Sequence, residues 1–96
     1  MAITPVPSAV RKVHVYQLNN PARMESLLVV TAEGPDEVNA RLKHEPPPEA
    51  AAWQAGDGVE LEIMAQHMNE PSAEQFLKMY VEHMQQRTWR FSVWRA

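Results

Sequence analysis

Residues 69–86 read NEPSAEQFLKMYVEHMQQ, and this stretch decides the fold because the rest of the chain must supply a surface for it to pack on. Its apolar side chains recur at the i, i+3, i+4, i+7 spacing that lines one face of a helix: Ala73, Phe76, Leu77, Tyr80, Val81 and Met84. Pro71 and Ser72, with Gln75 three residues after the serine, have the pattern of a helix start with a capping box. The stretch is therefore predicted to form an amphipathic helix that supports the core.

Two strands are predicted before this helix. Residues 13–18 read VHVYQL, and residues 26–32 read SLLVVTA. Both segments are rich in β-branched and large apolar residues, and the turn-forming cluster at residues 19–21 separates them, so an antiparallel pair is expected. The second strand is apolar on both alternations, which is typical of an interior strand that is covered on both faces.

The remaining elements follow from proline positions and from alternation. Residues 34–37 read GPDE and predict a helix start, and the helix must end before the three prolines at 46–48. Residues 59–67 alternate as a half-exposed strand, with Val59, Leu61, Ile63 and Ala65 expected on one side. A closing strand is predicted from the alternation of Trp89, Phe91 and Val93.

The order strand, strand, helix, strand, helix, strand predicts an α+β domain of two layers. We expect a three- to four-stranded, mainly antiparallel sheet with both helices on one face. Residues 1–10 contain two prolines and no apolar periodicity, and they are predicted to be a flexible N-terminal tail before a single domain at residues 11–96.

The bulk composition excludes several classes of site. The chain has 96 residues and no cysteine, which rules out disulfides, thiolate zinc sites and cysteine nucleophiles. No apolar run reaches the length of a membrane helix and the N-terminus does not have the pattern of a secretory signal, so a cytoplasmic protein without membrane contact is expected. No cofactor is predicted.

Charge is unevenly distributed along the sequence. All 12 acidic residues lie between Glu25 and Glu82, whereas most of the nine basic residues lie outside this range. If the first and last strands were neighbours, the sheet would have a basic edge that could bind an anion or an acidic partner. A solvated surface without a role is the simpler interpretation.

Some residue types could carry chemistry but have no specific pattern. The histidines, at positions 14, 44, 67 and 83, lie on different predicted elements and have no metal-ligand spacing. Glu60 and Glu62 share one face of a predicted strand, which favours a solvated face over an acid–base pair. The aromatic and basic residues at 89–94 could stack on single-stranded nucleic acid, but core packing explains their aromatic rings at least as well.

The order of elements and a few short motifs resemble the GIY-YIG nuclease-like domain over most of residues 12–86. These motifs are VHVYQL in the first strand, a second strand that ends in threonine, the Arg41–His44 segment RLKH on the first helix, and A-x-x-F-L from Ala73 to Leu77. In that family two strand tyrosines, a helix arginine and a glutamate on the second helix surround a divalent metal ion and a phosphodiester.

The resemblance implies catalytic candidates at Tyr16 and Arg41, with His44 nearby, and Glu74 is a further candidate if the metal ligands are rearranged. A partner is expected to bind either the face with Tyr16, Arg41 and Lys43 or the basic edge with Arg87, Arg90 and Arg95. The second tyrosine is missing from residues 27–31, and Leu77 or Lys78 stands where the metal-binding glutamate belongs. Glu74 comes about one turn too early. Because a hard cation such as magnesium needs that carboxylate, a degenerate, non-catalytic member is implied.

Three functions stay open from the sequence. The first is a non-catalytic GIY-YIG-like module that binds a protein or a nucleic acid. The second is a phosphodiesterase with rearranged ligands, which would require magnesium. The third is a small α+β assembly protein that forms a homodimer by pairing of edge strands.

Overall fold

The computed structural model describes residues 11–84 and 89–95. It contains four strands and two helices in the predicted order: β1 (Lys12–Asn20), β2 (Glu25–Thr31), α1 (Pro35–His44), β3 (Glu60–Asn69), α2 (Glu70–Met84) and β4 (Arg90–Arg95). Short 3₁₀ turns at Pro48–Ala50 and Ala55–Asp57 lie between α1 and β3. The α+β class is confirmed. The predicted flexible tail lies outside the described residues. None of the helices in the described ranges has the length and apolar character needed to cross a bilayer.

The strands form one mixed sheet in the order β3-β1-β2-β4. β1 is antiparallel to both β2 and β3, whereas β4 is parallel to β2. The first and last strands are therefore not neighbours, and the condition for a shared basic edge is not met. This arrangement places the two most apolar strands, β1 and β2, in the middle of the sheet, where their buried alternations need cover on both faces.

The two helices pack on opposite faces of the sheet, so the prediction of two layers with both helices on one face is wrong. Ala73 and Leu77 of α2 pack against one set of strand residues: Val13, Val15, Leu28 and Val30. Val38 of α1 packs against the other alternation: Tyr16, Leu18, Leu27 and Val29. Ala50 and Trp53, from the segment after the prolines, extend the cover beside α1. The physical reason is that two helices on one face would leave the other apolar alternation of β1 and β2 without cover.

β3 does not keep the predicted alternation. Its pairing with β1 shifts register twice, so that Met64 is an extra residue between Ile63 and Ala65, and Gln66 and His67 together oppose His14. His67 has a φ of 58° at the second shift. Leu61 consequently packs on the α1 side, whereas Ala65 packs on the α2 side. The expectation that these two residues share a face is wrong because each bulge moves the following residues to the opposite side.

α2 begins directly after β3, with no loop between them. Its first residue is Glu70, so Pro71 and Ser72 lie inside the first turn and Ser72 is not the N-cap that the sequence predicted. Proline is tolerated there because the amides of the first turn have no partner within the helix. The predicted apolar stripe is confirmed. Ala73 and Leu77 are buried, and Phe76, Tyr80 and Val81 pack around the same cluster.

Candidate ligand-binding cleft

Tyr16 and Arg41, the two strongest matches to the nuclease pattern, both contact Glu33. The Tyr16 hydroxyl donates to the main-chain carbonyl of Glu33 at 2.8 Å. The Arg41 guanidinium donates to both carboxylate oxygens of Glu33, at 3.1 Å and 2.5 Å. The structure therefore brings the two residues together, but on a residue of this chain that lies in the β2–α1 connection.

The surroundings of Tyr16 and Arg41 indicate a structural role, which is to hold the β2–α1 connection in place. Tyr16 has no exposed surface, and its burial, together with the Glu37 carboxylate, raises the pKa of its hydroxyl. The hydrogen bonds from Arg41 hold the pKa of the Glu33 carboxyl below its usual range. Glu37 accepts a hydrogen bond from the Gly34 amide at 3.1 Å and so fixes the start of α1. A substrate has no access to the Tyr16 hydroxyl in this arrangement.

The other predicted site residues lie apart from this pair. Glu74 is on the α2 side of the sheet, where it accepts hydrogen bonds from Arg95 at 2.9 Å and 2.7 Å, and these bonds lower the pKa of its carboxyl. Lys43 and His44 are exposed in the last turn of α1. Arg90 lies 3.5 Å from the Glu25 carboxylate. Arg87 lies outside the described residues.

Two of the four histidines come together at the second bulge of β3. The rings of His14 and His67 are 4.8 Å apart and nearly perpendicular, and the His67 amide donates to His14 Nδ1 at 3.1 Å. Because Nδ1 of His14 accepts this bond, the contact serves the bulge. Within residues 11–84 and 89–95 no group of three or more histidine or acidic side chains is arranged to hold a metal ion.

A polar floor covers one end of the sheet on the α2 side. It results from strand register: Gln17 of β1 is opposite Glu62 of β3, and Asn19 is opposite both Glu60 of β3 and Ser26 of β2. Because directly paired residues point to the same face, these five side chains lie on one surface. At the other end of the same face the strands carry the apolar residues that α2 covers.

The last turns of α2 enclose this floor and form a cleft of about 700 Å³. The lining residues from α2 are Tyr80, His83 and Met84. Trp89, the residue before β4, also lines the cleft. Tyr80 also stacks on Phe76, with the two ring planes only 5° apart. We call this space, with the floor residues named above, the acidic cleft.

Hydrogen bonds hold the floor in place. The Tyr80 hydroxyl donates to Gln17 Oε1 at 2.8 Å, and the Ser26 hydroxyl donates to Asn19 Oδ1 at 2.7 Å. Asn19 Nδ2 donates to Glu62 Oε1 at 3.4 Å, which is a long bond. Gln17 is only 4% exposed, so its amide is a fixed polar group on the floor of the cleft.

The described part of the cleft lining is negatively charged. Among the residues that the structure describes, the lining contains the carboxylates of Glu60 and Glu62 and neither a lysine nor an arginine. Carboxylates in a concave site produce a concentrated negative electrostatic potential. Such a site favours cationic or hydrogen-bonding ligands over anions. The arrangement can therefore bind and orient a polar ligand, with aromatic surface from Tyr80 and Trp89 beside it.

Sequence reasoning treated Glu60 and Glu62 as a solvated face and did not single out the rest of the cleft. One signal was present in the sequence. Gln17 and Asn19 are polar residues on one alternation of a strand whose other alternation carries Tyr16 and Leu18. Polar residues that occur on only one alternation of an interior strand indicate that part of one face of the sheet is exposed to solvent.

No family model matches this sequence, and neither the curated proteins nor the solved structures contain a match to it. The resemblance to the GIY-YIG nuclease-like domain therefore stays a prediction, and the function must be inferred from the geometry of this chain alone.

Proposed function

We propose that this protein is a small non-catalytic binding module and that its ligand site is the acidic cleft. The observation that carries the proposal is the floor of that cleft, where Gln17 is nearly fully buried and yet part of the lining. Binding sites are typically concave and combine apolar or aromatic walls with a few positioned polar groups. The hydrogen bond from Tyr80 fixes one such group before any ligand arrives.

The positions of the nuclease-like residues support binding over catalysis. A GIY-YIG-like phosphodiesterase would need an accessible tyrosine, a helix arginine and a metal-binding carboxylate in one site. Tyr16 is buried against the Glu33 carbonyl, Arg41 is engaged by the Glu33 carboxylate, and Glu74 is on the other side of the sheet. The negative charge of the cleft also disfavours phosphodiester ligands, since nucleic-acid binding depends on positive charge.

Two measurements test the proposal. Short duplex and single-stranded oligonucleotides are incubated with the protein at low salt, with magnesium or manganese. We expect no cleavage, and cleavage that disappears in Arg41→Ala would establish the phosphodiesterase alternative instead.

In parallel, backbone amide NMR shifts are followed during titration with three probes, which are N-acetyl-argininamide, inorganic phosphate and indole. Saturable shifts at Gln17, Glu62 and Tyr80 with any of these probes support the cleft as a binding site. If none of the three moves these signals, the proposed function is wrong.

Self-association is a second candidate. Ile63 is 51% exposed on β3, which is an edge strand of the sheet, and an exposed apolar side chain on an edge favours pairing between copies. Sedimentation velocity over a wide concentration range tests this: a dimer that dissociates in Ile63→Lys supports assembly, and a monomer at all concentrations excludes it.

A further inference from the structure

We propose that the acidic cleft binds a guanidinium group, and specifically an arginine residue presented by a peptide. This inference deepens the proposed function and depends on the cleft being the binding site. Three independent features of the cleft support it: an unpaired carboxylate, aromatic surface beside that carboxylate, and an amide donor on the floor that is accessible from the cleft.

The carboxylates supply the charge. Glu60 has no hydrogen-bond or ion-pair partner within residues 11–84 and 89–95, and Glu62 has only the long bond from Asn19. Glu60 and Glu62 are two residues apart on β3, so their Cα atoms are about 6.6 Å apart. Both residues line the cleft. A guanidinium can donate two parallel hydrogen bonds to one carboxylate and remain within range of the second.

The aromatic surface favours a guanidinium over an ammonium ion. Trp89 and Tyr80 line the same space as the carboxylates. A guanidinium is planar and weakly hydrated, so it stacks on aromatic faces while its edge donates to carboxylates. An ammonium ion is a compact, strongly hydrated charge and gains less from such a surface.

Gln17 explains why the ligand is a peptide. Its Oε1 accepts a hydrogen bond from the Tyr80 hydroxyl, whereas its Nε2 has no protein partner in the described part of the chain. Because every fully buried side-chain nitrogen and oxygen atom in that part has a hydrogen-bond partner, Nε2 is accessible from the cleft. This residue is 96% buried and reaches solvent at the cleft. A donor that faces the cleft can bind a ligand that offers an acceptor, and a guanidinium has none. The main-chain carbonyls beside an arginine side chain supply that acceptor.

The test compares matched ligands by calorimetry and by NMR shifts. The probe is N-acetyl-arginine-N-methylamide, and its control is the citrulline analogue, which has the same shape but no charge. We expect the arginine probe to bind at least about tenfold more tightly, since its hydrogen bonds to the carboxylates are charge-assisted and those of citrulline are not. Equal binding of the two analogues would overturn the assignment of a cation site.

Isosteric variants locate the charge. Glu60→Gln and Glu62→Gln keep the shape of exposed side chains, so the fold is retained, and each should weaken the arginine probe about tenfold. The matched control is Glu45→Gln, an exposed acid at the end of α1 on the other side of the sheet. A similar loss in Glu45→Gln, or no loss in the double variant of Glu60 and Glu62, contradicts the site.

Methylguanidine tests the requirement for an acceptor. It carries the cation without carbonyl groups and should bind roughly two- to tenfold more weakly than the blocked arginine. Equal affinity would remove the peptide part of the inference. If phosphate or indole binds the cleft and the arginine probe does not, the guanidinium inference fails while the proposed function stands. If no probe binds, the proposed function itself fails.

Discussion

Asn19 and Asn20 are neighbours on β1, and they differ in almost everything that surrounds their side chains. Asn20 has no exposed surface, donates to Asp57 Oδ2 at 3.0 Å and accepts a hydrogen bond from the Arg23 amide at 3.2 Å. Asp57 accepts a further bond from the Gln54 amide at 3.0 Å. We call this set of residues the Asp57 network.

Asn19 points to the opposite side, into the acidic cleft. It accepts one short hydrogen bond from Ser26 and donates one long bond to Glu62. The neighbouring polar groups on this floor, Glu60 and the Gln17 amide nitrogen, have no protein partner among the described residues and are accessible from the cleft.

The difference separates two uses of polar residues in one strand. In the Asp57 network the donors and acceptors are satisfied within the chain, so the network stabilises the connections at that end of the sheet. In the acidic cleft part of the hydrogen-bonding capacity is left for solvent or for a ligand. A hydrogen-bonding group without a protein partner, on a residue that is nearly buried, is a more specific indication of a binding site than a polar side chain alone.

The largest expected loss of stability comes from disrupting the packing of α2, the helix that forms one wall of the acidic cleft. Leu77→Asp places a carboxylate in the buried contact of α2 with the sheet, where Leu77 is 3% exposed. We expect a loss of at least about 4 kcal/mol, since a lost leucine costs about 2–5 kcal/mol and an unpaired buried charge adds to it. Circular dichroism during heating should show an unfolded protein. The control is Lys78→Asp at the exposed next position, and equal melting of both variants would contradict the packing.

The second prediction tests the two asparagines directly. Asn20→Ala should lower the free energy of unfolding by about 1–3 kcal/mol, because it removes the hydrogen bond that the fully buried Asn20 side chain donates to the Asp57 carboxylate and the one that it accepts from the Arg23 amide. Asn19→Ala should lower it by less than about 1 kcal/mol, because water in the cleft can replace its bonds. Urea unfolding of both variants measures the difference. Equal losses would show that the two asparagines contribute equally to stability, contrary to this prediction.

The third prediction concerns acid. Hydrogen bonds from the Gln54 amide and from Asn20, with the Arg23 guanidinium nearby, hold the pKa of the Asp57 carboxyl below its usual range. A lowered pKa in the folded state means that the ionised carboxylate stabilises the fold above its ordinary pKa, and that this contribution is lost as the pH falls through the lowered value.

The measurement is urea unfolding as the pH falls from about 5 to about 2, for the wild type and for Asp57→Asn. The wild type should lose more stability than the variant over this range, since the variant has no carboxyl to protonate at this position. A parallel loss in the wild type and in Asp57→Asn would contradict the role of the network.

Local patterns predicted most of the fold. The stripe of α2, the antiparallel β1–β2 pair and the helix after Gly34 depend on residues close in sequence, and all are present. The placement of the helices was wrong although β2 contained the relevant signal. Leu27, Leu28, Val29 and Val30 are apolar on both alternations, and that pattern already requires cover on both faces.

The cleft could not be predicted because it depends on register between distant strands. Glu62 reaches Gln17 only through the particular pairing of β3 with β1, and two bulges change that pairing farther along the strand. A shift of one residue would place the carboxylates on the other face. Single-sequence patterns carry no information about which residue of β3 is opposite Gln17.

The smallest expected effect compares two tyrosine hydroxyls, one on each side of the sheet. Tyr16→Phe removes the donor to the Glu33 carbonyl from a fully buried position, so it should cost about 1–1.5 kcal/mol. Tyr80→Phe removes the donor to Gln17 Oε1 beside the acidic cleft, where water can replace it, and should cost about 0.5 kcal/mol.

Urea unfolding measures the stability of each tyrosine variant. NMR titration with the blocked arginine probe measures ligand binding, which stability alone does not report. Tyr80→Phe frees the Gln17 amide to rotate, so it should weaken binding of the blocked arginine probe, whereas Tyr16→Phe should leave binding unchanged. A Tyr80→Phe variant that is less stable than Tyr16→Phe, and that binds like the wild type, would mean that the Tyr80–Gln17 bond serves the core. In that case the preorganised floor would no longer distinguish the cleft from the Asp57 network.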